Sequence, residues 1–179
     1  VWPLPRPSID TGMGLERIAS VLQGTPTNWE TDLFGPLLEA IARAAAQPYQ
    51  TGSSGFPFRV IADHVRCASF LLADGVAPAN YGRGYVLRRL LRRAVRFRRA
   101  LGAPSGMLAQ LVDVVVESMG QAYPELPAKH AFIREAVGGE ETRFGETLQV
   151  GMNLLDELLA QARSEGRDTL LGQDAFRLY

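Results

Sequence analysis

The chain has 179 residues, 46% of them hydrophobic, and a formal net charge of zero. That is enough apolar matter for a real core, which excludes wholesale disorder. No apolar run reaches the roughly 18 residues of a membrane span, a single cysteine excludes a disulfide framework, and two histidines leave little for a zinc site.

The positive charge is nearly all arginine, with Lys129 the only lysine. Arginine favours planar, bidentate recognition of phosphates or carboxylates, although a GC-rich genome would give the same bias. The chain starts at Val1, with no signal peptide, and stops at Tyr179 inside an apolar pattern, Ala175–Tyr179. Neither end has the look of a natural terminus, so a fragment is expected, from a protein of the cytoplasm.

In chain order, Val1–Ile9 reads as a proline-interrupted extended strand. The turn Asp10-Thr11-Gly12-Met13-Gly14 leads into a helix, Leu15–Leu22, that stops at Gly24. Thr31 or Asp32 can cap a second helix running to about Ala46. Residues 48–58 are a loop by composition. Val60, Ile61, Val65, Ala68, Phe70, Leu71 and Leu72 repeat at helical spacing up to Asp74-Gly75. After a loop over 76–82 the pattern predicts a helix from about Tyr85 to Leu101, a break at Gly102–Gly106, and an apolar helix over 107–119. A long amphipathic stretch follows from about 128 to 165, interrupted at Gly138-Gly139, Gly145 and Gly151. The expected architecture is all-α, a helical bundle with antiparallel neighbours, preceded by a short strand-turn-helix.

Charge is segregated along this order. No acidic residue lies between Gly75 and Val112, while eight arginines fall between Arg83 and Arg99. From Arg134 to Asp168 there are eight acids against four arginines. At 100° per residue, with Arg88 at zero, Arg99, Arg92, Arg96, Arg89 and Arg93 fall within an arc of roughly 140°. Phe97, Leu90, Leu101, Ala94 and Leu87 occupy the arc from about 180° to 260°. Such a row of arginines repels itself unless something anionic lies across it. Two readings stay open: a solvated face that pairs with acids elsewhere, such as the acidic helix 134–168, or a surface for a polyanion whose binding would be steeply salt-dependent. A membrane surface fits less well, because the opposite face carries ordinary core residues and no aromatic anchors.

Asn80 sits in the turn before this helix, Pro78-Ala79-Asn80-Tyr81-Gly82-Arg83-Gly84. Its amide both donates and accepts, so it can read base edges where arginines only hold backbone; taken alone, it reads as a turn residue ahead of a base contact. Gly12-x-Gly14-x-x-Arg17 is the other pattern with chemistry in it. The glycines allow close approach of backbone to a ligand, the helix N-terminus favours an anion, and Arg17 can hold a phosphate. Asp10 is placed to pair with a ligand ammonium. An ordinary turn braced by Asp10, with a surface arginine, is the plainer alternative.

Ile9–Ile18 resembles motif 3 of the class II aminoacyl-tRNA synthetases, in the form found in the alanyl-tRNA synthetase family. Thr31–Phe34, Arg59–Arg66, Asp74–Asn80, Gly82–Arg89 with Arg92-Arg93-Ala94, and Ala175–Tyr179 are similar to further segments of that family, in the same order. The resemblance implies an ATP-dependent ligase that activates alanine and transfers it to tRNA(Ala). Residues 1–24 would be the end of the catalytic domain, and 25–179 a helical domain that recognises the acceptor stem. Asp10 would hold the alanine ammonium, with Gly12 against the small substrate. Gly14 and Arg17 would bind ATP, Arg17 stabilising charge as the adenylate forms, with Mg2+ accompanying ATP in the parent enzyme. Asn80 would read the wobble G·U pair of the stem, and Arg83, Arg88, Arg89, Arg92, Arg93 and Arg96 would hold its backbone. The family's motifs 1 and 2 lie upstream, a second G·U-reading aspartate is expected just beyond Tyr179, and the editing domain is absent, so these residues alone are expected not to catalyse. A non-catalytic RNA-binding module is the alternative. His64 reads as a structural helix residue, and Glu140, Glu141, Phe144, Leu148 and Gly151 as packing and surface.

Overall fold

A computed structural model describes residues 6, 8 and 11–178 of the chain. The expected strand over 1–9 falls almost wholly outside those residues, as does Asp10, and among the described residues every regular element is helical. The order is α1 Leu15–Gln23, a single 3-10 turn Asn28–Glu30, α2 Gly35–Ala45, α3 Phe56–Ala73, α4 Gly82–Ala100, α5 Met107–Met119, α6 Glu125–Ala128, α7 His130–Ser164 and α8 Gly172–Arg177. The all-α expectation holds.

The bundle is built around α3, which touches α2, α4, α5, α6 and α7. Ten of its eighteen residues are buried, and Ile61, Ala62, Val65, Ala68 and Leu72 have no exposed surface. With Leu37, Leu38 and Ile41 of α2, Leu87 and Leu91 of α4, Leu108, Leu111 and Val115 of α5, and Ile133 and Val137 of α7 they form one continuous core. Side chains are close-packed there, so each element's position is fixed by several neighbours at once.

Several polar contacts lock the helix ends. The Lys129 ammonium donates to the Ala73 carbonyl, satisfying an orphan acceptor where the negative end of the α3 dipole lies. Gln47 Nε2 donates to Leu101 O at 2.8 Å, tying the end of α2 to the end of α4. Asp113 of α5 takes both His130 Nε2, at 2.6 Å, and Arg134 Nη1 of α7.

Three sequence expectations are corrected. The second helix does not begin at Thr31 or Asp32: Thr31 is buried and donates to Asn28 O at 2.7 Å, Asp32 accepts from Gln23 Nε2 at 2.6 Å, and Pro36 opens the helix in its first turn, where a missing N–H costs nothing. Pro57 likewise draws the start of α3 back to Phe56, inside the stretch read as loop. The glycines at 138, 139, 145 and 151 do not interrupt α7, which runs unbroken for 35 residues, about 52 Å at 1.5 Å per residue. Glycine lowers helix propensity, but the packed face of α7 outweighs that local preference.

The buried side of α4 is also turned from the one expected. Leu91 and Val95 are each 1% exposed, whereas Leu90 is half-buried. Packing between α3 and α7 draws in the side centred nearer Leu91 than Leu90. Leu91→Ala is therefore expected to cost about 2–5 kcal/mol of unfolding free energy and Leu90→Ala clearly less, a contrast that urea denaturation of the two variants measures.

Candidate nucleic-acid interface

The arginines of α4 separate into two sets. Arg98 is the least exposed of these arginines, its Nε 3.1 Å from Glu141 Oε1. Arg88 is largely buried, its Nε 3.3 Å from Glu140 Oε1, and Arg92, about half exposed, places its Nε 3.1 Å from the same oxygen. Arg143, one turn along α7, adds an Nη2 at 3.6 Å from Glu140 Oε2. Glu140 and Glu141, expected to be packing and surface residues, are instead nearly inaccessible carboxylates, at 2% and 1% side-chain exposure.

Isolated carboxylates do not enter an apolar interior without partners. The arginine row supplies them, and charge-assisted contacts of this kind are about twice as strong as neutral ones. Glu141 Oε1 also accepts from the Gly106 amide at 3.1 Å, at the N-terminus of α5, where the helix dipole favours an anion. Burial nevertheless pushes the Glu141 carboxyl above its ordinary range, against the opposing pull of Arg98 and the amides of Gly106, Leu108 and Ala109.

Arg83, Arg89, Arg93, Arg96 and Arg99 are exposed and make no ion pair among the described residues. Arg89, Arg92, Arg93 and Arg96 line one open depression of about 450 Å³ with Phe97 and Phe144. The Arg92 guanidinium lies 5.1 Å from the centre of the Phe144 ring, and that of Arg93 lies 5.9 Å from Phe97. The depression thus offers four guanidiniums with two aromatic rings between α4 and α7, a combination suited to phosphates and to base or sugar faces.

The loop carrying Asn80 is pinned to the start of α4. The Ala79 amide donates to Gly84 O at 3.0 Å. A Cβ on Gly84 would stand 2.7 Å from Ala79 Cβ and 2.9 Å from Ala79 N, and would press on the Ala77 carbonyl as well. Only glycine admits the loop this close. Arg88 reaches back from the first turns of the helix: Nη1 donates to Asn80 Oδ1 and Nη2 to Pro78 O at 3.5 Å. Asn80 itself is exposed.

The glycine turn lies apart from this surface in sequence and contacts. Gly14 is the N-cap of α1 and supplies no side-chain cap, and the Arg17 side chain folds back to within 3.4 Å of where a Gly14 Cβ would stand. Arg17 is exposed, as is Gly12. Asp10 lies outside the described residues. Glu16 of α1 pairs with Arg66 of α3, and the Arg66 guanidinium stacks 4.0 Å from the Phe34 ring. The Glu16 carboxyl is held below its ordinary range by its own backbone amide and by Arg66. His64 is buried on α3, its Nδ1 2.8 Å from Asp63 Oδ2, and that bond is the main reason the Asp63 carboxyl is held low.

A family model described as tRNA synthetases class II (A) matches residues 1–179. The chain belongs to this family. Its relatives include the alanine–tRNA ligases of Shouchella clausii, 49% identical over 99% of the chain, Halalkalibacterium halodurans, also 49% identical over 99%, and Dinoroseobacter shibae, 53% identical over 99%. The chain spans 20% of the length of each of these relatives, about a fifth. Within this synthetase segment the structure brings Asn80, Arg88 and Arg92 together through Glu140, and sets Arg89, Arg93 and Arg96 facing outward beside them. It does not join Gly12, Gly14 or Arg17 to that group by any hydrogen bond or ion pair among the described residues.

The residues that sequence reasoning missed are Glu140, Glu141 and Gly84. Their signal was there to find: two adjacent acids on a helix with a basic neighbour, and a glycine one turn into an otherwise strong helix former. Two outcomes follow. Gly84→Ala is expected to lower stability by about 1–3 kcal/mol and to speed amide hydrogen exchange at Ala79, which exchange mass spectrometry reads. For Glu141 the sign is set by its raised carboxyl: between the ordinary value of 4.5 and the higher folded value the unfolded chain loses its proton first, so folding stability falls as pH rises through that window. Glu141→Gln removes this titration, so the stability of the native chain relative to the variant should decline as pH rises above the ordinary value of 4.5, measured by urea midpoints at a series of pH values.

Proposed function

We propose that the chain is part of an alanine–tRNA ligase, which activates alanine with ATP and transfers it to tRNA(Ala), and that its helical portion holds the acceptor stem. The observation that carries this reading is the division of α4. Three of its arginines pair with two buried carboxylates of α7, and five exposed ones make no ion pair among the described residues, next to a loop that presents Asn80. The alanine–tRNA ligase relatives support the choice of substrate.

Residues 1–24 would then belong to the catalytic domain and 25–179 to the helical tRNA-recognition domain. In support, α1 buries none of its residues and leaves Leu15, Ile18, Val21 and Leu22 exposed, as expected of a helix whose main packing partner is another unit. Asp10 would take the alanine ammonium beside Gly12. Gly14 and Arg17 would take the ATP phosphates: an uncapped helix N-terminus with an exposed arginine one turn in suits an anion. ATP and its Mg2+ supply the leaving group and its charge neutralisation when bound. Among the described residues no group of three or more His, Cys, Asp or Glu side chains could hold a metal ion.

Asn80 would distinguish a wobble G·U pair from G·C in the stem. A-form RNA displays its base edges in a wide, shallow minor groove, and in a G·U pair the guanine 2-amino group there has no pairing partner. Arg83, Arg89, Arg93 and Arg96 would hold phosphates on either side. Arg88 and Arg92, first read as further phosphate ligands, have inward partners, so the outward set carries the salt dependence.

Each of Arg89→Gln, Arg93→Gln and Arg96→Gln should reduce the slope of log K against log salt for an acceptor-stem hairpin by about one, while Arg98→Gln, being largely buried, leaves the slope and lowers stability instead. Unchanged slopes for the first three would remove the RNA surface. The 179 residues alone are expected to give no ATP–pyrophosphate exchange, since motifs 1 and 2 of the family lie upstream, and measurable exchange would overturn that.

A further inference from the structure

Arg88 is, after Arg98, the most buried arginine of α4. Its side chain is 19% exposed; Nη1 donates to Asn80 Oδ1 and Nη2 to Pro78 O, while Nε lies 3.3 Å from Glu140 Oε1 in an ion-pair contact without a hydrogen bond. We propose that Glu140 and Arg88 form a positioning device for Asn80, fixing the orientation of its amide and thereby the discrimination between G·U and G·C. The inference rests on the reading of Asn80 given above and deepens it.

The physical argument begins with the amide. An Asn side chain on an exposed loop has two nearly isosteric orientations, related by exchange of Oδ1 and Nδ2, and only its hydrogen-bond partners choose between them. Arg88 is a donor alone and cannot accept, so it selects the orientation with Oδ1 inward. The second lone pair of Oδ1 is then left in a fixed direction to accept from the guanine 2-amino group, and the Nδ2 amine points away from the Arg88 guanidinium. A reader held this way presents one pattern to a base edge, where a freely flipping amide presents two.

Arg88 can do this only if it is itself held. Arginine is long and loses much rotamer freedom when fixed. The carboxylate of Glu140 supplies the fixed point, being almost completely buried on α7 and gathering Arg88, Arg92 and Arg143 around its two oxygens. Glu140 also holds Arg92 of the basic depression, but only Arg88 links it to Asn80, so the ratio between the two hairpins, and not their common affinity, reports the device. The bond from the Ala79 amide to Gly84 O holds the loop backbone independently, so loss of the Glu140 charge should free the amide without releasing the loop.

The test uses the intact ligase and two acceptor-stem hairpins that differ only in the G·U or G·C pair. Glu140→Gln keeps the shape and one oxygen and removes the charge. Its ratio of kcat/KM for the two hairpins is expected to fall roughly five- to tenfold, the scale of one hydrogen bond, while ATP–pyrophosphate exchange stays unchanged. In an Asn80→Ala background, Glu140→Gln should lower the ratio no further. Arg88→Lys serves as a second variant should Glu140→Gln not fold: it keeps the positive charge but lacks the planar fork that spans Glu140 and Asn80 together, and the same loss of ratio is expected.

A ratio unchanged in both variants overturns the proposal. So does a fall of both hairpins by one common factor, or a further fall of the ratio in the Asn80→Ala background. If Asn80→Ala itself leaves the ratio unchanged, the reading of Asn80 fails and the positioning device with it. If Asn80→Ala loses discrimination and the other two variants keep it, the positioning device alone fails.

Discussion

Two buried carboxylates on α7, Glu140 and Glu141, set the terms for the rest of the molecule. Each would be costly to desolvate alone, and each is placed where the arginine row of α4 can meet it. The seam between α4 and α7 is consequently electrostatic at its centre and apolar at its flanks, with Leu91 and Val95 on one helix and Ile133 and Val137 on the other. Buried ion pairs contribute little net stability beside well-packed apolar groups, but removing one partner leaves an uncompensated charge. They therefore specify which part of α4 faces α7 more strongly than they stabilise the contact.

That specification is what makes the outer face useful. Eight arginines between Arg83 and Arg99 would repel one another along a single helix. Drawing Arg88, Arg92 and Arg98 toward two carboxylates relieves the repulsion on the inner side and leaves the outer guanidiniums unpaired. Of the two readings open at the level of sequence, the intramolecular acid partner is realised for Arg88, Arg92 and Arg98, and the arginines left without an ion pair are those on which the proposal of an external polyanion rests. The charge balance of the whole chain hides this, because the acids that bring the total to zero are partly spent in the interior.

Much of this was legible in the sequence, and the exceptions have physical causes. The periodicity of α3, α5 and the outward arc of α4 follows from 3.6-residue spacing alone, and the segregation of charge is visible by inspection. The register of the inner face of α4 was not legible, because Leu90 and Leu91 are equally apolar and only the positions of α3 and α7 choose between them. Helix starts at Gly35 and Phe56 were misplaced because Thr31, Asp32 and the glycine-rich 48–58 segment satisfy local rules for caps and loops that tertiary contacts override. The glycines of α7 misled for the same reason. The burial of Glu140 and Glu141 could not be read from their type, since acids in a helix are ordinarily solvated. It follows only once α7 is known to lie across α4. For the site, the motif residues of the glycine turn were found by resemblance, while the link from Glu140 through Arg88 to Asn80 exists only in three dimensions.

Rigidity at Asn80 is the requirement that connects these observations. A side chain that separates two base pairs by one hydrogen bond has about 1 kcal/mol to work with, and that margin vanishes if the side chain or its loop moves freely. The loop over 77–80 is exposed and has no core of its own, so its order has to be imported. Gly84 imports it through backbone contact with Ala77 and Ala79, from the helix that follows. Arg88 imports it through the Asn80 amide and the Pro78 carbonyl, and passes the constraint to a carboxylate anchored in the core. A loop held from one side only could still rotate about its tether. Held by backbone at Gly84 and by side chain at Arg88, one helical turn apart, it cannot, and under the proposed reading of Asn80 the buried charge on α7 would be part of the apparatus by which an exposed asparagine reads RNA.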